Sequence, residues 1–246
     1  MKHSNEVEDP QRRRLVQALA AGLFSVGLPG AHALAAGIFG SRPAKLPADQ
    51  SVYRITGHAA VNGQEATPET RINPGDTVET AKDSEIIFVV NGNHAMILRG
   101  DSHLVMESAQ DGSGSRLING LRLLTGKLLS VSRNTAMRVS TTAATIGIRG
   151  TGFYVEADPL LTYFCTCYGV TEISAIADPA SRTIVESKHH DRPLYIGMDA
   201  EPGNNIRQAP MINHTDQELA LIEALVGRTT PFVFENDSYS SPRRNY

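Results

Sequence analysis

The sequence predicts an all-β protein, a solenoid-like or twisted β-sandwich of many short strands, with one short helix near its C-terminal end. Three observations predict it. From Val52 onward, apolar stretches are separated by turn signals at Asn62-Gly63, Asn73-Pro74-Gly75-Asp76, Asn91-Gly92, Gly100-Asp101, Asp111 to Ser115, Asn119-Gly120 and Gly126. Their spacing is mostly about 8 to 12 residues, the rhythm of short antiparallel strands. Second, apolar and polar residues alternate with period two in pieces such as 84–90, 95–99 and 127–132, which puts one face of each piece against a core. Third, 21 Gly and 13 Pro accompany an apolar share of only 41%, a composition suited to many turns around a modest core.

Taken in order, residues 1–33 read as an export signal. Gln11-Arg12-Arg13-Arg14-Leu15-Val16-Gln17 precedes an apolar run rich in Ala and Gly that reaches about Gly40, and paired arginines before apolar residues are the layout of a twin-arginine signal. Ala31-His32-Ala33 offers a small-x-small cleavage site, with Leu34-Ala35-Ala36 as a second. The alternative is a retained anchor, since the run is long enough for the ~20 residues a span needs. Its glycines, Pro29 and His32 argue against that. Cleavage gives a periplasmic or secreted protein without stable membrane insertion. The export route carries folded proteins, some with cofactors already loaded.

Residues 50–196 form the β domain, and residues 197–246 a C-terminal extension. Within the extension, Gly197 to Pro210 reads as loop. Thr215-Asp216-Gln217-Glu218 then has capping-box spacing, in which a Thr hydroxyl and a Glu carboxylate satisfy backbone donors at a helix start. Leu219, Ile222, Leu225 and Val226 follow as one apolar stripe ending at Gly227, so a helix is expected over about 216–226. Too short to stand alone, it must dock on the β core. Residues 236–246 read as a flexible tail.

The charge balance, 23 basic against 26 acidic residues for a net −3, supplies no basic field for nucleic acid. Enzymatic motifs are also missing. Gly100-Asp101-Ser102-His103 departs from the Gly-Asp-Ser-Leu block of certain esterases at its fourth residue, and no Asp-x-x-His follows. No nucleophile elbow, phosphate loop or His-Glu-x-x-His helix occurs. Arg99-Gly100-Asp101 is read as a hairpin turn, not as an adhesion tripeptide.

The stretch Thr141-Thr-Ala-Ala-Thr-Ile-Gly-Ile-Arg-Gly-Thr-Gly-Phe-Tyr-Val155 closely resembles the hallmark of the FecR family of bacterial periplasmic signalling domains. Gly75-Asp76-Thr77-Val78, Asn91-Gly92, Gly126-Lys127-Leu128 and Cys167-Tyr168-Gly169-Val170-Thr171 fit the same pattern, so the resemblance runs from about Val52 to Ile173. It implies an all-β fold outside the cytoplasm and a non-enzymatic role in protein interaction or signal relay, with another envelope protein as partner. The best-known members are inner-membrane anti-sigma regulators that sense an iron-siderophore signal through an outer-membrane receptor. They carry a cytoplasmic helical domain before a membrane helix, whereas here about fourteen residues precede the apolar run. A direct hold on a sigma factor is therefore not expected. Within the motif, Ile146 and Ile148 share a face, Gly147, Gly150 and Gly152 permit backbone approach or a bend, and Arg149 is expected to cap strand-end carbonyls.

The remaining chemistry lies in Tyr163-Phe164-Cys165-Thr166-Cys167-Tyr168. Period two puts both sulfurs on one strand face. Alternate Cα atoms of a strand lie about 6.5 to 7 Å apart, at the limit for an unstrained disulfide, but two such thiolates can share a soft metal. A turn at Asp178-Pro179-Ala180-Ser181 folds Arg182 to His190 back on this strand. Counting across it sets Ala177 against Arg182 and Val170 against His189, so one of His189 and His190 faces the sulfurs. Met211 and His214 lie within reach of the same end. The candidate metal ligands are Cys165, Cys167, His189 and His190, for Zn or Cu. The alternative is a pair of structural thiols or an intermolecular disulfide, with no cofactor. His58, His94 and His103 read as surface or satisfied histidines.

Overall fold

The structure is a computed structural model and describes residues 42–199 and 201–233. The expected export signal, residues 1–33, and the tail from 236 lie outside the described residues. Thirteen strands form one antiparallel assembly: β1 (Val52–Thr56), β2 (Ala59–Val61), β3 (Gln64–Glu65), β4 (Thr77–Thr80), β5 (Glu85–Val90), β6 (His94–Arg99), β7 (His103–Gln110), β8 (Arg116–Ser140), β9 (Ala144–Ala157), β10 (Leu161–Ala175), β11 (Arg182–Ser187), β12 (Leu194–Gly197) and β13 (Ile206–Gln208). The main path runs β13-β12-β10-β9-β8-β7-β4-β2-β3, with β1-β5-β6 branching from β8 and β11 from β10. The all-β expectation with a single short helix, α1 (Asp216–Leu225), holds among the described residues.

Turn chemistry explains the reversals. Asn62 and Gly63 (φ 52° and 76°), and Asn91 and Gly92 (φ 53° and 63°), take the left-handed backbone that tight hairpins require. Two other signals are used differently. Asn119-Gly120 ends no strand: the β7–β8 register shifts between Glu107 and Ser108, whose partners are Gly120 and Ile118. A second shift near Thr125 sits beside Gly126. These residues mark bulges inside β8, which therefore extends over 25 residues.

The long strands make the sandwich by bending. A straight β9 would span about 43 Å at ~3.3 Å per residue. Yet Thr142 Oγ1, before its start, donates to Asp158 O, after its end, at 2.9 Å, and the Thr141 and Thr162 hydroxyls meet at 2.6 Å. The strand doubles over at Gly150, whose φ is 58°. Ile146 and Ile148 of the first arm and Phe153 and Val155 of the second consequently share one core, where Phe153 stacks on Phe164 of β10 at 5.7 Å.

The second arm is covered on both sides. Its outward face, with Ile87 and Val89 of β5, Ile97 of β6, Leu129 of β8, and Tyr154, packs under Leu219, Ile222 and Leu225 of α1. That is why β5 and β6 are buried at every position. Thr215 and Glu218 close the expected capping box, and the helix stops where Gly227 turns left-handed at φ 73°.

Gly152 sits where this face is tightest. A Cβ there would lie 2.4 Å from Cε1 and 2.7 Å from Cζ of Tyr168, so the ring rests on bare backbone. Gly152→Ala is expected to cost about 1–3 kcal/mol through overpacking, read as a lower denaturation midpoint. An unchanged midpoint would show that the Tyr168 ring has room to move. By contrast, Arg149 is exposed in register between Ala136 and Val170. Among the described residues it caps no strand-end carbonyl, which corrects the expectation from the motif.

Candidate metal centre

Cys165 and Cys167 lie on the α1-facing side of β10, both fully buried and neither in a disulfide. Their shared face follows from the strand period. The ladder to β9 shifts at Thr166/Tyr168, directly at Cys167, whose carbonyl accepts from His190 N–H in the turn that follows β11. The hairpin register differs from the one counted from sequence. Ser174, not Ala177, pairs with Arg182, and Val170 pairs with Glu186, not His189. The cause is the turn: Asp178 accepts from Ser181 Oγ at 2.6 Å while Ala175 N bonds Ser181 O at 3.0 Å, so the connection takes six residues.

The two histidines therefore fall in the turn beyond β11, where His190 adopts a left-handed φ of 53° and its N–H donates to Cys167 O at 2.9 Å. This sends the His190 side chain to the sulfurs and the His189 side chain away. His190 Nδ1 lies 3.4 Å from Cys165 Sγ, and His214 Nε2 lies 3.1 Å from His190 Nδ1. The two sulfurs and one nitrogen from each of His190 and His214 all fall within 4.8 Å of one another. Of the four residues expected from sequence, three converge. His189 is exposed and instead bonds the Asp216 carboxylate at 2.9 Å through Nε2. His214 takes the fourth place, and Met211 is 44% exposed.

Each inward-facing imidazole is held from behind. His190 Nε2 meets Asp216 Oδ1 at 3.0 Å, and His214 Nδ1 meets Ile212 O at 2.6 Å. His214 also stacks on Tyr154 at 4.5 Å. An outer carboxylate or carbonyl on the remote nitrogen is the arrangement that fixes metal-bound histidines. Tetrahedral zinc, with bonds near 2.3 Å to sulfur and 2.0–2.1 Å to nitrogen, separates neighbouring ligand atoms by about 3.3 to 3.8 Å. The observed 3.1 and 3.4 Å fall close to those edges.

Electrostatics favour a thiolate here. The Cys167 thiol, then His190 and His214, hold the Cys165 sulfur well below an ordinary thiol against the upward push of burial. Burial pushes Cys167 up. Burial alone would lower His190, but Asp216 and Cys165 outweigh it and take it up to about 9. The other histidines divide: His58 and His103 pair with Glu65 and Glu79 at 3.2 and 3.1 Å. His94 is buried, with no partner for Nδ1 among the described residues, and burial followed by the Arg228 charge brings it down to about 4.

The sulfur–imidazole cluster thus lies between a bent β-sandwich and one helix. Residues 76–162 match the family model described as FecR protein, and this segment, from β4 to the start of β10, is a FecR domain. The match supports a regulatory, signal-relay class. Two solved structures of a "putative anti-sigma factor" from Parabacteroides distasonis ATCC 8503 are similar at TM-scores of 0.43 and 0.42, each with 12% identity over 60% of this chain. This chain spans 64% of theirs, and the assignment rests on the family model alone. No curated protein matches. All four cluster residues lie C-terminal to the matched segment.

Proposed function

We propose that this chain is an exported FecR-type signal-relay module, without catalysis, whose stimulus is a soft metal ion held by Cys165, Cys167, His190 and His214. The convergence of those four side chains within 4.8 Å carries the reading. Four protein ligands fill a tetrahedral shell and leave no open position for substrate, the pattern of binding sites and not of catalytic ones. Charge favours zinc over copper(I). Two thiolates and two neutral imidazoles around a divalent ion give a neutral shell, whereas a monovalent ion leaves a net negative charge in a buried pocket. The twin-arginine-type sequence at Gln11–Gln17 and the FecR match support export. No helix among the described residues is long and apolar enough to cross a membrane. The relay partner is another envelope protein.

Intact mass and elemental analysis of the full chain, recovered from its native compartment, test this directly. About one equivalent of zinc is expected, lost in Cys165→Ser. Less than about a tenth of an equivalent of any transition metal, unchanged by Cys165→Ser, overturns it.

A further inference from the structure

The four cluster residues come from two kinds of backbone. Cys165 and Cys167 belong to β10, in the middle of the assembly. His214 immediately precedes Thr215, the N-cap of α1, and Asp216, which anchors His190 at 3.0 Å, is the first residue of the helix. Beyond the helix, the Phe232 ring lies 4.4 Å from His189 and 6.2 Å from Tyr168. The cluster is thus complete, with His190 anchored, only while the start of α1 lies on the sheet.

α1 is also held by burial, since Glu218 to Leu225, eight of its ten residues, are buried. Ten residues do not sustain an isolated helix. Apolar contact is made through Leu219, Leu221, Ile222 and Leu225, and Val226 after them. Polar ties include the Arg99–Glu218 pair at 2.9 Å, the hydrogen bond from Tyr168 OH to Glu223, the Leu46 N–H donating to Leu225 O at 2.9 Å, and Arg228, which pairs with Glu223 at 2.7 Å and donates to Asn93 Oδ1 at 2.9 Å. A docked helix supplies a ligand and an anchoring carboxylate, and an undocked one supplies neither. An ion that binds the docked form better must stabilise docking by the same factor.

Resting on the metal reading above, we infer that α1 and its C-terminal continuation form a metal-dependent clasp: ion binding locks them onto the sheet, and ion loss releases them. The relay output is then the position of the C-terminal segment, set by occupancy of a site between that segment and β10. Releasing α1 uncovers Ile87, Val89, Ile97 and Leu129, which it covers when docked.

Hydrogen–deuterium exchange of the full chain, with Zn²⁺ and after chelation, tests the clasp. With free Zn²⁺ at 100 times its dissociation constant, amides of 216–226 are expected to exchange about 100-fold more slowly than in the chelated protein, while β2 and β4 are unchanged. A second arm is Leu225→Asp, which replaces no cluster residue but opposes docking; its zinc affinity is expected to fall at least about tenfold. If that variant does not fold, the exchange comparison on the unaltered chain decides. Stoichiometric zinc binding with α1 exchange changed by less than about twofold overturns the clasp and leaves the metal site standing. Absence of zinc binding removes both.

Discussion

Arg99→Ala is expected to destabilise the fold by about 3–5 kcal/mol, because it strands the Glu218 carboxylate in the interior. Arg99 is 5% exposed and Glu218 2%. The guanidinium spans three elements: Nη2 donates to Glu218 Oε1 at 2.9 Å, and Nη1 donates to Tyr154 OH at 2.9 Å and to Asn213 O. It therefore ties β6 to α1, to the ring beneath His214, and to the backbone next to His214. Burial already raises Glu218, with Arg99 and Thr215 pulling it back. Without Arg99 the folded-state value rises further above the unfolded one. The sign follows: the folded variant retains a proton that the unfolded chain releases, so its deficit is largest at neutral pH and shrinks as the pH falls below Glu218's folded value. Arg99→Met with Glu218→Leu removes both charges and is expected to recover most of the loss. Chemical denaturation of the unaltered chain and the two variants at two pH values checks the sequence of effects. A deficit below about 1 kcal/mol in Arg99→Ala would show that water reaches Glu218.

The second large effect concerns the cluster. Cys165→Ser and Cys167→Ser are each expected to weaken zinc binding by more than about 100-fold, since each replaces a thiolate ligand by a weakly binding hydroxyl, while Asp216→Asn costs about 10–100-fold by loosening His190 from behind. His189→Ala, which removes a group bonded to Asp216 and packed on Phe232 but no proposed ligand, is expected to cost less than Asp216→Asn. Competition with a chromophoric chelator ranks the four. Equal losses at His189 and Cys165 would place the ion outside the sulfur pocket.

How much of this was legible in the sequence depends on distance along the chain. The strand period alone put Cys165 and Cys167 on one face, and the Thr215–Glu218 spacing alone gave the helix start. The glycines of the motif announced a bend, which Gly150 supplies. The choice between His189 and His190 was not legible, because a period of two makes that choice hostage to register. The register was set by Asp178 and Ser181 bonding across a six-residue connection. His214 could be seen to lie near the cap, but its direction depends on where α1 docks. The Arg99–Glu218 pair, 119 residues apart, left no local pattern. The glycines of β9 announced a bend, but its extent, a full doubling-over, shows only in contacts between the strand's two ends.

Everything turns on the metal. X-ray absorption at the zinc edge of the zinc-loaded chain tests it most directly, because it counts ligand types without reference to stability. The expected shell is two sulfurs at about 2.3 Å and two nitrogens at about 2.0–2.1 Å. A shell of oxygens and nitrogens with no sulfur would contradict the assignment of Cys165, Cys167, His190 and His214.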